Sequence, residues 1–196
     1  GFPPLPPEDS EMPAPQAAES SLTRYLKVLR NRHFLLACLS IGFESLARYG
    51  LLSWVPVHFG AGGNLWVTVG LPVGMAVGAL SAGIIADRWF PTGRARLAAI
   101  ALGAGAGIAL LLAFLPKGSP FAFVLLAAAG FLVYAPQASY WTLGPLLVSR
   151  ERSGTATGLM DATAYGFAAA GQLLIGATID ATGSTLSLFF VIAAAC

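Results

Sequence analysis

From His33 onward the chain is built of long apolar runs separated by short polar knots. Six runs stand out, at His33–Phe59, Asn64–Ala86, Ala95–Leu115, Pro120–Val148, Ser153–Asp180 and Ser184–Cys196. A bilayer core of about 30 Å takes about 20 helical residues at 1.5 Å each. The first five runs meet that length and are predicted to be membrane-spanning helices. The sixth has 13 residues and ends with the chain, inside an apolar stretch, so the sequence reads as an internal piece of a longer protein. Prolines fall in the first run (Pro56) and the fourth (Pro136, Pro145). Membrane helices tolerate proline where neighbours re-satisfy the freed backbone.

The first 32 residues differ. Residues 1–20 hold six Pro and four acidic side chains and are expected to be a flexible linker. In residues 21–32, Leu22, Tyr25, Leu26 and Leu29 recur at helical spacing, with Arg24, Lys27, Arg30 and Arg32 around them. That pattern predicts a short amphipathic helix on the membrane surface. Residues 33–196 then form the spanning part.

Composition agrees. Hydrophobic residues make up 56% and charged residues 10%, against about 25% charged in an ordinary soluble domain. A net charge of +2 is too small and dispersed for nucleic-acid binding. The two cysteines, Cys38 and Cys196, lie in apolar runs and read as buried, inert thiols. Nine Lys or Arg side chains fall on one side of the spans by parity and Lys117 alone on the other, so the linker is expected to be cytoplasmic.

Chemistry is concentrated in few positions. Arg48 lies 15 residues into the first run, where a lone Arg costs about 2.5–3.5 kcal/mol. It is expected to face a water-filled cavity or an anion. Glu44 is one turn away on the same face; it either neutralises Arg48 or tunes and releases it. A planar guanidinium suits phosphate because it donates two parallel hydrogen bonds. Thr157, Asp161, Tyr165 and Gln172 share a predicted face of the fifth run, and Asp161 is a candidate for carrying a proton or pairing with Arg48. Tyr134, Gln137 and Trp141 share a face of the fourth run and suit a cavity wall, although Trp141 also fits an interfacial belt. Gly70, Gly74, Gly78 and Ala82 form a smooth stripe for close helix packing, as do Gly103, Gly105 and Gly107, and Gly154 with Gly158. Asp87, Arg88, Arg94 and Arg96 make a charged loop between the second and third runs. His33 and His58, at the ends of the first run, read as interfacial. No Cys/His spacing suits a metal, no cofactor motif is present, and nothing supports an enzyme.

These residues together resemble the major facilitator superfamily. The Asp87–Arg96 segment is similar to that superfamily's charged loop, with Pro91 inserted. Six runs after a charged linker look like its C-terminal half, helices seven to twelve with the last truncated: an all-α membrane protein. Arg48-Tyr49-Gly50-Leu51-Leu52-Ser53-Trp54-Val55-Pro56 is similar to helix seven of the organophosphate:phosphate antiporters. Gly130–Gln137 looks like their helix ten, and Gly154–Gly158 with Tyr165-Gly166 like their helix eleven. The resemblance implies a bacterial inner-membrane carrier that exchanges an organic phosphate or related anion for inorganic phosphate. Arg48 would bind the anion with a cation from an N-terminal half, with Tyr134, Gln137 and Tyr165 as walls and Glu44 and Asp161 as coupling groups. Glu44 departs from the glycerol-3-phosphate transporters, which carry an apolar residue there. The alternatives are a proton-coupled symporter of another solute and a sugar-phosphate sensor.

Overall fold

The computed structural model describes residues 21–61, 63, 65–90, 93–148 and 150–196. The expected linker at residues 1–20 lies outside them. The described residues are helical, without strands. In chain order the helices are α1 (Ser21–Leu29), α2 (Arg32–Gly60), α3 (Gly70–Trp89), α4 (Arg94–Phe114), α5 (Phe121–Tyr134), α6 (Gln137–Leu146), α7 (Ser153–Thr182) and α8 (Ser187–Ala195). Short 3-10 turns at Leu65–Val69 and Arg150–Arg152 lead into α3 and α7.

Five segments are long and apolar enough to cross a membrane: α2, α3 with its 3-10 lead, α4, α5 continued into α6, and α7. Their outer faces carry large exposed apolar side chains, among them Leu80, Ile84, Phe114 and Leu173. In water such surface would drive aggregation; against lipid it costs nothing. In α1, Val28 is buried while Tyr25, Leu26 and Leu29 stay exposed, so its apolar side is turned away from the helices behind it.

Asn31 starts α2. Its side-chain oxygen accepts from the backbone N–H of His33 (3.0 Å) and Phe34 (3.4 Å), which satisfies donors that a helix start leaves free. Its amide also donates to the Leu147 carbonyl at 2.7 Å, tying the start of α2 to the segment after α6.

The helices pair closely, and small residues set the approach. An added Cβ at Gly70 or Gly74 would overlap the carbonyl oxygens of Phe123 and Ala127 on α5, and at Gly78 it would lie 2.8 Å from that of Phe131. Gly130 of α5 meets Leu71 and Met75 of α3 in the same way. The predicted stripe therefore packs α3 backbone to backbone on α5. Its counterparts differ. Gly103, Gly107, Gly154 and Gly158 would each meet nothing within 4 Å, and Gly105 makes only ordinary contact. The same spacing thus marks open faces on α4 and α7. The second close pair, α2 with α7, places Gly42 under Phe167 and Gly171 under Leu46.

One expectation needs correcting. The fourth run is not a continuous helix: it breaks at Ala135–Pro136 into α5 and α6. Pro136 has no N–H to donate and its ring crowds the preceding turn. The chain restarts with Ser139 and Tyr140 both donating to the Pro136 carbonyl, at 2.9 and 3.3 Å.

Two apolar cores result. One gathers Phe34, Cys38, Ile41, Tyr140, Met160 and Ala164 around the first part of α2. The other gathers Leu51, Val55 and Phe59 of α2 with Leu71, Leu126 and Phe189. The polar residues of α2 lie between them.

Candidate functional site

Arg48 stands 16 residues from the start of a 29-residue helix, close to its midpoint. The chain has no way to lift its charge to an interface about 20 Å off, so local partners must hold it. Glu44 Oε1 lies 3.7 Å from Arg48 Nε. Ser45 sits between them: its hydroxyl donates to Glu44 Oε2 at 3.3 Å and accepts from Arg48 Nη2 at 3.4 Å. Two rings face the guanidinium, Tyr49 with its centroid 4.8 Å from Cζ and Tyr134 at 5.3 Å. Both distances suit cation–π attraction, which strengthens away from water.

The charged side chains themselves are buried. Arg48 is 7% exposed, and Glu44 and Ser45 are fully buried. The sequence predicts that Arg48 faces a water-filled cavity or an anion; among the described residues its charge is met by Glu44, Ser45 and two aromatic rings. The pair is also incompletely satisfied. Glu44 Oε1 and Arg48 Nε, the atoms that face each other at 3.7 Å, have no hydrogen-bond partner among the described residues.

Tyr134 connects this centre to open space. It lines a cleft of about 170 Å3 with Gln137 and Trp141, closed on the other side by Ala79 and Ala82 of α3. The three residues predicted to share a face therefore do so, although the helix breaks between the first and second. Two larger, mainly apolar grooves flank the start of α2. One is lined by Leu35, Leu36 and Leu39, the other by Leu36, Ala98 and Leu102. Neither includes Arg48.

Tyr165 of α7 is 56% exposed and lies against the centre indirectly, its ring 5.9 Å from that of Tyr49. Asp161, one turn earlier, is exposed. Among the described residues Arg48 forms its ion pair with Glu44 and not with Asp161. Gln172 leaves the predicted stripe: while Thr157, Asp161 and Tyr165 are exposed, Gln172 is half-buried and accepts from Trp54 Nε1 at 2.8 Å. In the charged loop, Asp87, Arg88 and Arg96 are exposed, while Pro91, Thr92 and the Arg94 side chain lie outside the described residues.

Two features escaped sequence reasoning. Ser45 and Tyr49 flank Arg48 at i−3 and i+1, and only the first spacing hints at contact. His58, expected at an interface, is fully buried; its Nδ1 bonds Thr185 Oγ1 at 2.7 Å, and the rings of Phe59 and Phe189 meet it edge-on.

Long apolar helices with lipid-suited outer faces, folded around a buried ion pair at half their depth, define a polytopic helical membrane protein. Residues 2–172 match the family model of the Major Facilitator Superfamily, and the chain belongs to that superfamily. The all-α architecture is that of one of its six-helix halves, and its general activity is transport of a small solute across the bilayer. No curated protein matches the chain.

Proposed function

We propose that the chain supplies the anion-binding half of a carrier that exchanges an organic phosphate, or a related organic anion, for inorganic phosphate. The observation that carries this reading is the buried Arg48, held by a carboxylate beyond hydrogen-bond distance and within cation–π range of two tyrosine rings. Ring faces accept no conventional hydrogen bond, so the guanidinium N–H edges would be what a ligand uses. A phosphate or carboxylate needs those edges, because two parallel N–H donors match two oxygens.

In this mechanism the anion enters by the cleft beside Tyr134 and Gln137 and displaces Glu44 from Arg48. Tyr165 closes the site from α7. A second six-helix half contributes a further cation, and the two halves rock about the midplane site. With no anion bound, Glu44 screens Arg48. With an anion bound, the substrate does so. The basic ends of the helices face the cytoplasm of a bacterial cell.

A second reading has one observation in its favour: the fully buried Glu44 Oε1 has no hydrogen-bond partner among the described residues. A carboxylate displaced by substrate into that setting takes up a proton, and the carrier then runs as a proton-coupled symporter. Asp161, exposed on α7, is a further proton site for that mode.

The full-length protein in phosphate-loaded vesicles separates the readings. Exchange predicts that internal phosphate accelerates uptake of external phosphate without a proton gradient; symport predicts no acceleration and a strict need for the gradient. Arg48→Lys keeps the charge and loses the fork. Its exchange rate should fall by about tenfold or more, the worth of one charged hydrogen bond. Full activity in Arg48→Lys would refute bidentate anion binding.

A further inference from the structure

We propose that Ser45 is a positioning residue whose hydroxyl holds Glu44 and Arg48 in an open pair, from which an anion can take Arg48. The inference rests on the reading of Arg48 as the anion ligand and adds a residue to that site. A serine hydroxyl has one donor and two acceptor positions. Here it uses both kinds, donating to Glu44 Oε2 and accepting from Arg48 Nη2. Each charge thus has a partner that is not the other charge. The direct Nε···Oε1 separation stays at 3.7 Å, when an unobstructed guanidinium–carboxylate hydrogen bond closes to about 2.8 Å.

Helix geometry makes this possible. Glu44, Ser45 and Arg48 lie within five residues of α2, with Ser45 one residue after the acid and three before the base. All three side chains are buried, so no bulk water substitutes for the hydroxyl. Without it, both charges lose a partner in an apolar setting, and the nearest remedy for each is the other. The pair then closes, and a substrate anion must break a direct ion pair instead of a bridged one.

The test uses the full-length protein in vesicles, with inorganic phosphate as probe and phenylglyoxal modification of Arg48, read by mass spectrometry, as a measure independent of substrate. Ser45→Ala should raise the half-saturation concentration for phosphate exchange about tenfold, the size of one charged hydrogen bond, with a smaller change in maximal rate. It should slow modification of Arg48 by a similar factor. Ser45→Thr keeps the hydroxyl and should resemble the parent. Adding Glu44→Gln to Ser45→Ala should return both readouts to those of Glu44→Gln alone, because the closed pair no longer forms. The proposal is overturned if Ser45→Ala leaves Arg48 equally reactive, or if its effect survives Glu44→Gln. If the parent protein does not exchange phosphate while the Glu44-dependent slowing persists, the functional reading fails and the role of Ser45 stands.

Discussion

Replacing Gly74 by alanine tests the packing of α3 on α5 most directly. The new methyl would overlap the Ala127 carbonyl oxygen. That oxygen belongs to a helical backbone and cannot rotate aside as a side chain would. Even at Gly78, where the fit is looser, the added carbon would lie 2.8 Å from the Phe131 oxygen, short of the 3.4 Å at which ordinary contact begins. The two helices must therefore part, and the neighbouring close approaches at Gly70 and Gly130 are lost with them. Overpacking of this kind costs about 1–3 kcal/mol, and a rigid backbone obstacle places Gly74→Ala at the upper end. Gly103 on α4 provides the control, since an added methyl there meets nothing within 4 Å. Gly103→Ala should gain roughly 0.5–1 kcal/mol from the helix preference of alanine. The two variants should thus differ by about 4 kcal/mol in unfolding free energy, measured by titrating dodecyl sulfate into protein in mild detergent and following tryptophan fluorescence. Equal stability of the two would refute the close approach of α3 and α5.

Three further outcomes are expected. Asn31→Ala removes both the cap of α2 and the bond to Leu147, and should cost about 2 kcal/mol in the same titration; Asn31→Asp, which keeps the cap but not the donor to Leu147, should recover part of it. Trp54→Phe and Gln172→Leu each break the bond between α2 and α7, so the double variant should cost less than the sum of the two singles by about 1 kcal/mol, and strict additivity would show that the bond contributes nothing. Gly183 closes α7 with φ of +63°, and Gly183→Ala should destabilise the chain by about 1 kcal/mol, whereas Gly118→Ala, with no positive φ and open space around it, should not.

Much of this molecule is written in its apolar periodicity, because a membrane helix must satisfy its own backbone and leaves a long uninterrupted signal. The spans, the Glu44–Arg48 pair and the Gly70–Gly78 stripe all follow from spacing along one helix. What spacing omits is the partner. Gly74 and Gly158 sit in the same kind of pattern, yet one lies under a carbonyl and the other faces open space. His58 reads as an end-of-helix residue until Thr185, 127 positions later, is folded over it. Ser45 is an unremarked serine until Arg48 and Glu44 are seen to share it. The break at Pro136 is hidden for another reason: proline is common in membrane helices, and whether the chain bends or stops there depends on what packs against the next turn.

The union of α3 with α5 has a mechanical side. With carbonyls seated in the glycine notches, neither helix can slide along the other by a residue, so the two travel as a single plank. Tyr134 is the last residue of that plank, whereas Gln137 and Trp141 lie past the joint at Ala135–Pro136. The mouth beside the arginine therefore has one jaw fixed to the plank and one hung from a pivot. A small change of angle at those two residues would resize it while the tyrosine ring kept its place over the charge.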